Sequence, residues 1–312
     1  MYATSSNAFL SLIANKVEEQ LCTYHSGESV EYIAEVFGIF DHVLNLISIN
    51  HPLNSMSTRV ALVTGGAQGI GEAIALRLAR DGFNVAILDV RGKEEKMAAV
   101  AQKIEAVDKR SYCVVGDVTD EVSVVAAVQS VVDNLGQLDV MVANAGLCHN
   151  LGKSILDSTT EEWNTIFAVN ALGTMLCFKH AAKQMIKQGT GGRLIGACSI
   201  AGKQGTAYLG AYSAAKFAVR GLTHVMSKEL KEHNITVNSY APGFIYTAMI
   251  AHPEDDKNGG RGTVTKSLLG MPSDAPTAEP QVVANLVSYL ASPDSGFVTG
   301  QIISVDGGMN YD

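Results

Sequence analysis

The stretch Thr64-Gly65-Gly66-Ala67-Gln68-Gly69-Ile70-Gly71 follows the apolar run Val60-Ala61-Leu62-Val63 and precedes Ile74 and Leu78 at helical spacing from Ile70. A buried strand, a glycine turn and an amphipathic helix in that order read as the first βα unit of an open α/β sheet. Missing side chains at Gly65, Gly69 and Gly71 permit a tight turn and let a pyrophosphate approach backbone N–H groups at a helix N-terminus. Glycine-rich turns are common, so context decides. Here a second strand is expected at Asn84 to Leu88, and Asp89 ends it, eighteen positions after Gly71. A carboxylate there accepts hydrogen bonds from the adenosine ribose and repels a 2′-phosphate, so NAD is expected over NADP. Arg91, two residues further on, keeps NADP as the alternative.

Outward from this unit the chain alternates short apolar runs with longer helical ones. Further strands are expected at Tyr112 to Val115, Leu138 to Val142, Arg193 to Ala197, Thr236 to Ser239 and Gln301 to Val305. Long helices are expected near Glu161 to Gln188 and from about Leu209 to His233. The fold class is thus a single doubly wound, Rossmann-type α/β domain over residues 56–312, with a mostly seven-stranded parallel sheet.

A second constellation lies downstream, where Ser199 ends the fifth of these strands, Tyr212 stands thirteen positions later and Lys216 four after that. Ser199 should therefore open onto the carboxyl edge of the sheet, where ligands bind in open α/β folds. Residues four apart on a helix are neighbours, so Tyr212 and Lys216 share a face and the cation favours phenolate. A free phenol titrates near ~10, and bringing it to neutrality takes roughly 3 units, or about 4 kcal/mol. Tyr212 then becomes a candidate general acid and base. Ser199 lies outside any Gly-x-Ser-x-Gly elbow, which disfavours a hydrolase.

With Asn144-Ala145-Gly146 between them, the glycine turn, Ser199 and Tyr212-x-x-x-Lys216 stand in the order and spacing of the short-chain dehydrogenase/reductase family, which residues 57–312 resemble. The resemblance implies reversible hydride transfer between a nicotinamide cofactor and a secondary alcohol or ketone. It makes Tyr212 the proton donor and acceptor, gives Lys216 the phenol and the nicotinamide ribose, has Ser199 align the oxygen, and puts Asn170 at a relay water. It also assigns Gly65, Gln68, Gly69, Ile70, Gly71 and Asp89 to cofactor binding, with Asp117 and Val118 at the adenine. Asn144, Ala145 and Gly146 would line the ribose, and Pro242, Gly243 and Thr247 would hold the nicotinamide amide. From the residues alone, Asp117 and Asn144 read equally as a cap or a turn. Family members that prefer NADP often carry a basic residue in the glycine turn, where this chain has Gln68.

Residues 202–223 look similar to acetoin (diacetyl) reductases and 2,3-butanediol dehydrogenases, while related ketone reductases share much of the segment. Cys148 and His149 are candidates for a substrate pocket. Tyr246 to Glu279, rich in Gly, Pro and Asp, is either a substrate lid or a loose connection; its place after the nicotinamide segment favours a lid. A non-catalytic NAD-binding regulator on the same scaffold is the competing class, and the intact Asn170, Ser199, Tyr212 and Lys216 argue against it.

The 312 residues are 47% hydrophobic and 17% charged, enough to bury a substantial core. A net charge of -8 disfavours nucleic acid. No run reaches the ~18 apolar residues of a membrane span, so no membrane partner is expected. Five scattered cysteines suggest neither a metal site nor a disulfide framework and fit a reducing, cytoplasmic setting. Residues 1–55 hold Lys16 against six acids and resemble no presequence; Ile33, Phe37, Phe40, Leu44 and Ile47 recur at helical spacing. This extension reads as an accessory helix or as a start assigned ahead of Met56. The resemblance also implies a homo-oligomer, tetramer or dimer, assembled through the two long helices.

Overall fold

The computed structural model describes residues 58–149 and 151–311. The expected amphipathic helix of residues 1–55 lies outside the described residues. From Thr58 onward the chain builds a seven-stranded parallel sheet from β1 (Val60–Thr64), β2 (Asn84–Asp89), β3 (Ser111–Val115), β4 (Val140–Ala143), β5 (Gly192–Ala197), β6 (Ile235–Pro242) and β9 (Ile302–Val305). Two short strands, β7 (Phe244–Ile245) and β8 (Thr277–Ala278), pair apart from it.

The strand order is β3-β2-β1-β4-β5-β6-β9. Connections from β1 run outward in one direction and those from β4 in the other, so the crevice between β1 and β4 is the switch point where such sheets bind ligands. Helices cover both faces. Along β1, Ala61 and Val63 face one core with Ile74 and Leu78 of α1 (Gly69–Arg80), whereas Val60 and Leu62 face the other with Val124 and Val128 of α3 (Glu121–Leu135). A strand buried on both faces must be apolar throughout, which is why β1 reads as a continuous run. Between these units α2 (Glu94–Glu105) joins β2 to β3.

Three differences from the sequence expectation have local causes. The strand expected from Leu138 begins at Val140, because the backbone N–H and carbonyl of Leu138 bond the Gln188 side chain, each at 2.9 Å, in place of a strand neighbour. The helix expected over 161–188 is broken into α4 (Thr160–Phe167), a π-helical turn (Ala168–Leu172) and α5 (Gly173–Gln188). Its start is fixed by a capping box in which the Thr159 hydroxyl accepts from the Glu162 N–H and the Glu162 carboxylate accepts from the Thr159 N–H. The second long helix, α6, spans Gly210–Glu229 and gives way to a tight turn closed by Asn234 at φ 55°.

The segment expected as a lid is ordered by two buried charges. Asp255 accepts from the N–H groups of His252, Gly262 and Val264 at 3.0, 2.9 and 3.2 Å. Lys266, on α7 (Thr263–Leu268), donates to the carbonyls of Ser273 and Ala275 at 3.0 and 2.7 Å. The β7–β8 pair ties its two ends together. After it α8 (Gln281–Ala291) packs on α1 and leads to β9. Among the described residues no helix is long and apolar enough to cross a membrane.

Candidate active site

A cavity of about 470 Å³ opens at the carboxyl ends of β1, β4, β5 and β6 and extends under the lid. Every residue assigned to the site from the sequence lines it: the glycine turn, Asp89, Asp117 and Val118, Asn144 to Gly146, Asn170, Ser199, Tyr212, Lys216, Pro242, Gly243 and Thr247. His149 does not line it and is exposed.

The glycine turn is pressed directly against the loop that follows β4. A Cβ at Gly71 would lie 2.1 Å from the Gly65 carbonyl oxygen and 2.6 Å from the Asn144 amide nitrogen. Backbone cannot yield there. Gly71→Ala is therefore expected to lower the melting temperature by about 5 °C or more, the effect of roughly 2 kcal/mol of overpacking, and to weaken NADH binding. Thermal unfolding and NADH fluorescence titration check it; unchanged values of both would show that the turn has room to spare.

Asn144 is a clamp between distant parts of the chain. Its amide donates to the carbonyls of Thr64 and Gly65 at 2.9 and 3.2 Å, and its oxygen accepts from the Tyr240 hydroxyl at 2.8 Å. Tyr240, 1% exposed on β6, also lines the cavity, and sequence reasoning missed it. Asp117 makes the turn that precedes α3, accepting from the N–H and hydroxyl of Thr119 at 2.9 and 2.8 Å, so it is both a turn residue and a cavity wall.

At the catalytic end Ser199 follows β5, with its hydroxyl accepting from the Ala201 N–H at 3.1 Å and lying beside the Tyr212 phenol. Lys216 is 3% exposed; its Nζ donates to the Ala197 carbonyl at 2.8 Å and sits 5.5 Å from the centroid of the Tyr212 ring. The sequence expectation that Lys216 would bring the phenol down to neutrality is corrected here. Burial, and then the neighbouring thiol of Cys148, hold the Tyr212 phenol well above its ordinary value. Burial also lowers the Lys216 ammonium to about 8. Helical spacing reveals the neighbours but not the depth at which both are buried.

Asn170 is fully buried in the π-helical turn. Its amide donates to the carbonyls of Leu147 and Ile166 at 2.8 and 3.1 Å, and its oxygen accepts from the Leu147 N–H at 3.2 Å. A Cβ at Gly146 would lie 2.7 Å from that oxygen and 3.4 Å from Lys216 Nζ, so glycine lets the three approach. Both side-chain donors of Asn170 are committed to the backbone, which makes it a post for the loop after β4.

At the opposite end Asp89 accepts from the N–H groups of Ala67 and Val90 at 3.1 and 2.9 Å. The glycine turn has no basic residue, yet two lysines reach it from the start of α2. Lys96 and Lys93 donate to the Gln68 side chain at 2.9 and 3.5 Å, and Lys93 lines the cavity beside Asp89. Arg91 is exposed and does not line it. The cation lining the cavity at this end is therefore Lys93, four residues beyond Asp89 across the turn that leads into α2.

Comparison with known proteins finds relatives over most of the chain. A family model described as Enoyl-(Acyl carrier protein) reductase matches residues 65–310. A short-chain dehydrogenase/reductase of Armillaria gallica is 47% identical over 254 residues, covering 81% of this chain and 97% of that protein. The L-2,3-butanediol dehydrogenase of Corynebacterium glutamicum is 40% identical over 263 residues, covering 81% and 99%. The crystal structure of carveol dehydrogenase from Mycobacterium avium in complex with NAD matches with a TM-score of 0.73 at 27% identity, covering 81% and 97%.

Proposed function

We propose that this chain, which belongs to the short-chain dehydrogenase/reductase family, transfers hydride between NAD and a secondary alcohol or its ketone through Tyr212, Ser199 and Lys216. The oxidoreductase class and the nicotinamide cofactor are those of its family. The observation that carries the residue roles is the meeting of the Ser199 hydroxyl, the Tyr212 phenol and the Lys216 ammonium in the cavity that also holds the glycine turn.

A nicotinamide cofactor, when bound, would supply or accept the hydride; the chain handles the proton and the geometry. The Ser199 hydroxyl and the Tyr212 phenol lie together in the cavity, and we assign both to one substrate oxygen. The raised phenol is neutral at physiological pH and so stands ready to donate to the oxygen of a ketone being reduced. Lys216, anchored at the Ala197 carbonyl, holds positive charge beside the ring as phenolate develops, and we assign its ammonium to the nicotinamide ribose. Asn170 acts as a positioning residue, fixing Leu147 and with it the wall of the pocket. Consumption of NADH by a panel of ketones, absent when ketone is omitted, tests the reaction. No turnover by enzyme that binds NADH would refute it.

NAD is proposed over NADP because the Asp89 carboxylate repels a 2′-phosphate. Asp89→Ser is expected to narrow the NADH/NADPH ratio of kcat/KM by about 10-fold, removing a like-charge penalty on the order of 1.4 kcal/mol, with Lys93 then free to meet the phosphate. Wild-type enzyme that already prefers NADPH would sink the assignment to Asp89 and implicate Lys93. A homo-oligomer is proposed as well, supported by Leu172, Ile186, Phe217 and Val225, which leave apolar surface exposed along the long helices. A monomer by light scattering would overturn it.

A further inference from the structure

Resting on the ketone-reducing function proposed above, we infer that the substrate is a bulky apolar ketone or secondary alcohol bound through a single oxygen, and that a small vicinal diketone is a poor one. The pocket beyond Tyr212 is walled by three chain segments. Leu147 and Leu151 come from the loop after β4, Leu209 from the turn before α6, and Ile250, Leu269 and Met271 from the lid. All six are partly buried aliphatic side chains. The lid is seated on the first of these segments: a Cβ at Gly152 would lie 3.3 Å from the Leu268 side chain.

Polar groups on this side are few and mostly committed. The hydroxyls of Ser199 and Tyr212 are assigned to the reacting oxygen, and that of Ser199 also accepts from the Ala201 N–H at 3.1 Å. Thr265 donates its hydroxyl to the Ile250 carbonyl at 2.9 Å. Burial pushes the Cys148 thiol up to about 11, so it is an uncharged, weak partner. Thr206 offers one further hydroxyl, on a turn where Gln204, Gly205, Ala207 and Tyr208 are exposed to solvent. Among the described residues of segments 147–152, 204–209 and 247–271, no charged, amide or imidazole side chain lines the cavity.

A diketone brings a second carbonyl that loses its water against such a wall and regains no full partner, which weakens binding. An apolar ring system loses nothing polar and covers the leucines. The distinguishing chemistry is thus one oxygen on a large hydrocarbon frame. It departs from the acetoin-like substrate that segment 202–223 suggested.

The test uses the full chain with saturating NADH and compares kcat/KM for diacetyl, cyclohexanone and 2-decalone. Each buried methylene is worth about 0.8 kcal/mol, or roughly 4-fold, so 2-decalone should exceed cyclohexanone by at least about 10-fold and exceed diacetyl as well. Leu269→Gln should lower kcat/KM for 2-decalone by about 10-fold, the scale of a pocket mismatch, and lower that for diacetyl by less, so that the ratio of the two falls. Met271→Gln should do the same and replaces it if the first variant fails to fold. Diacetyl turning over better than 2-decalone, or a variant that lowers both equally, would overturn the apolar class while leaving the reductase standing. Bound NADH with none of the three ketones reduced would overturn both.

Discussion

Tyr212→Phe is expected to lower the turnover of NADH-dependent ketone reduction by about 100-fold or more, the scale of a lost general acid. NADH affinity and melting temperature should stay close to wild type. The phenol ring packs against a small cluster with Ile166, Ala211 and Ala215, and phenylalanine keeps that ring. What disappears is the phenolic hydroxyl, which lies beside Ser199 at the cavity. Because burial raises the phenol, the wild-type group carries its proton throughout the neutral range and donates it only as negative charge grows on the substrate oxygen. Single-turnover measurements separate this from product release. Near-normal turnover in the variant would remove Tyr212 from the mechanism and leave Ser199 as the candidate donor.

The fold was legible wherever its cause is local. The β1 run, the glycine turn and the helical repeat of Ile70, Ile74 and Leu78 are neighbours in sequence, and β1 begins at the expected Val60 and ends one residue past Val63. Boundaries slipped where a distant group intervened. Leu138 reads as strand until Gln188, fifty residues away, takes its backbone bonds. The π-helical turn at Asn170 left no trace in apolar periodicity, because one extra residue in a helix shifts the repeat without breaking it.

The same division runs through the site. Cavity-lining residues that belong to a local motif or a fixed spacing, such as Gly71, Asp89 and the Tyr212-Lys216 pair, were visible in the chain. Contacts between side chains far apart were not. Tyr240 reaches Asn144 across 96 positions, and Lys93 and Lys96 cross 25 and 28 to reach Gln68. Nothing in the glycine turn itself announces those cations, although they alter the electrostatics that Gln68 was taken to report. The protonation of Tyr212 escaped for a related reason: neighbourhood is encoded at i,i+4, whereas burial is a property of every element that closes over the pair.

Lys216→Ala is expected to damage both steps in which the ammonium takes part, lowering turnover by about 100-fold or more and weakening NADH binding by roughly 10-fold, the scale of a charged hydrogen bond. The side chain is buried and donates to the Ala197 carbonyl, so alanine also leaves a void. Lys216→Met fills that void without charge and separates packing from electrostatics. The sign of the pH dependence follows from burial, which lowers the ammonium to about 8. Below that value Lys216 is charged and supports phenolate as Tyr212 gives up its proton; above it the charge is lost. Ketone reduction by the wild type should therefore hold level on the acid side and fall as pH rises through about 8. Lys216→Met should lack that limb and run slowly on both sides. Retention of the limb in the methionine variant would assign it to another group, and unchanged NADH affinity in both variants would remove Lys216 from the ribose.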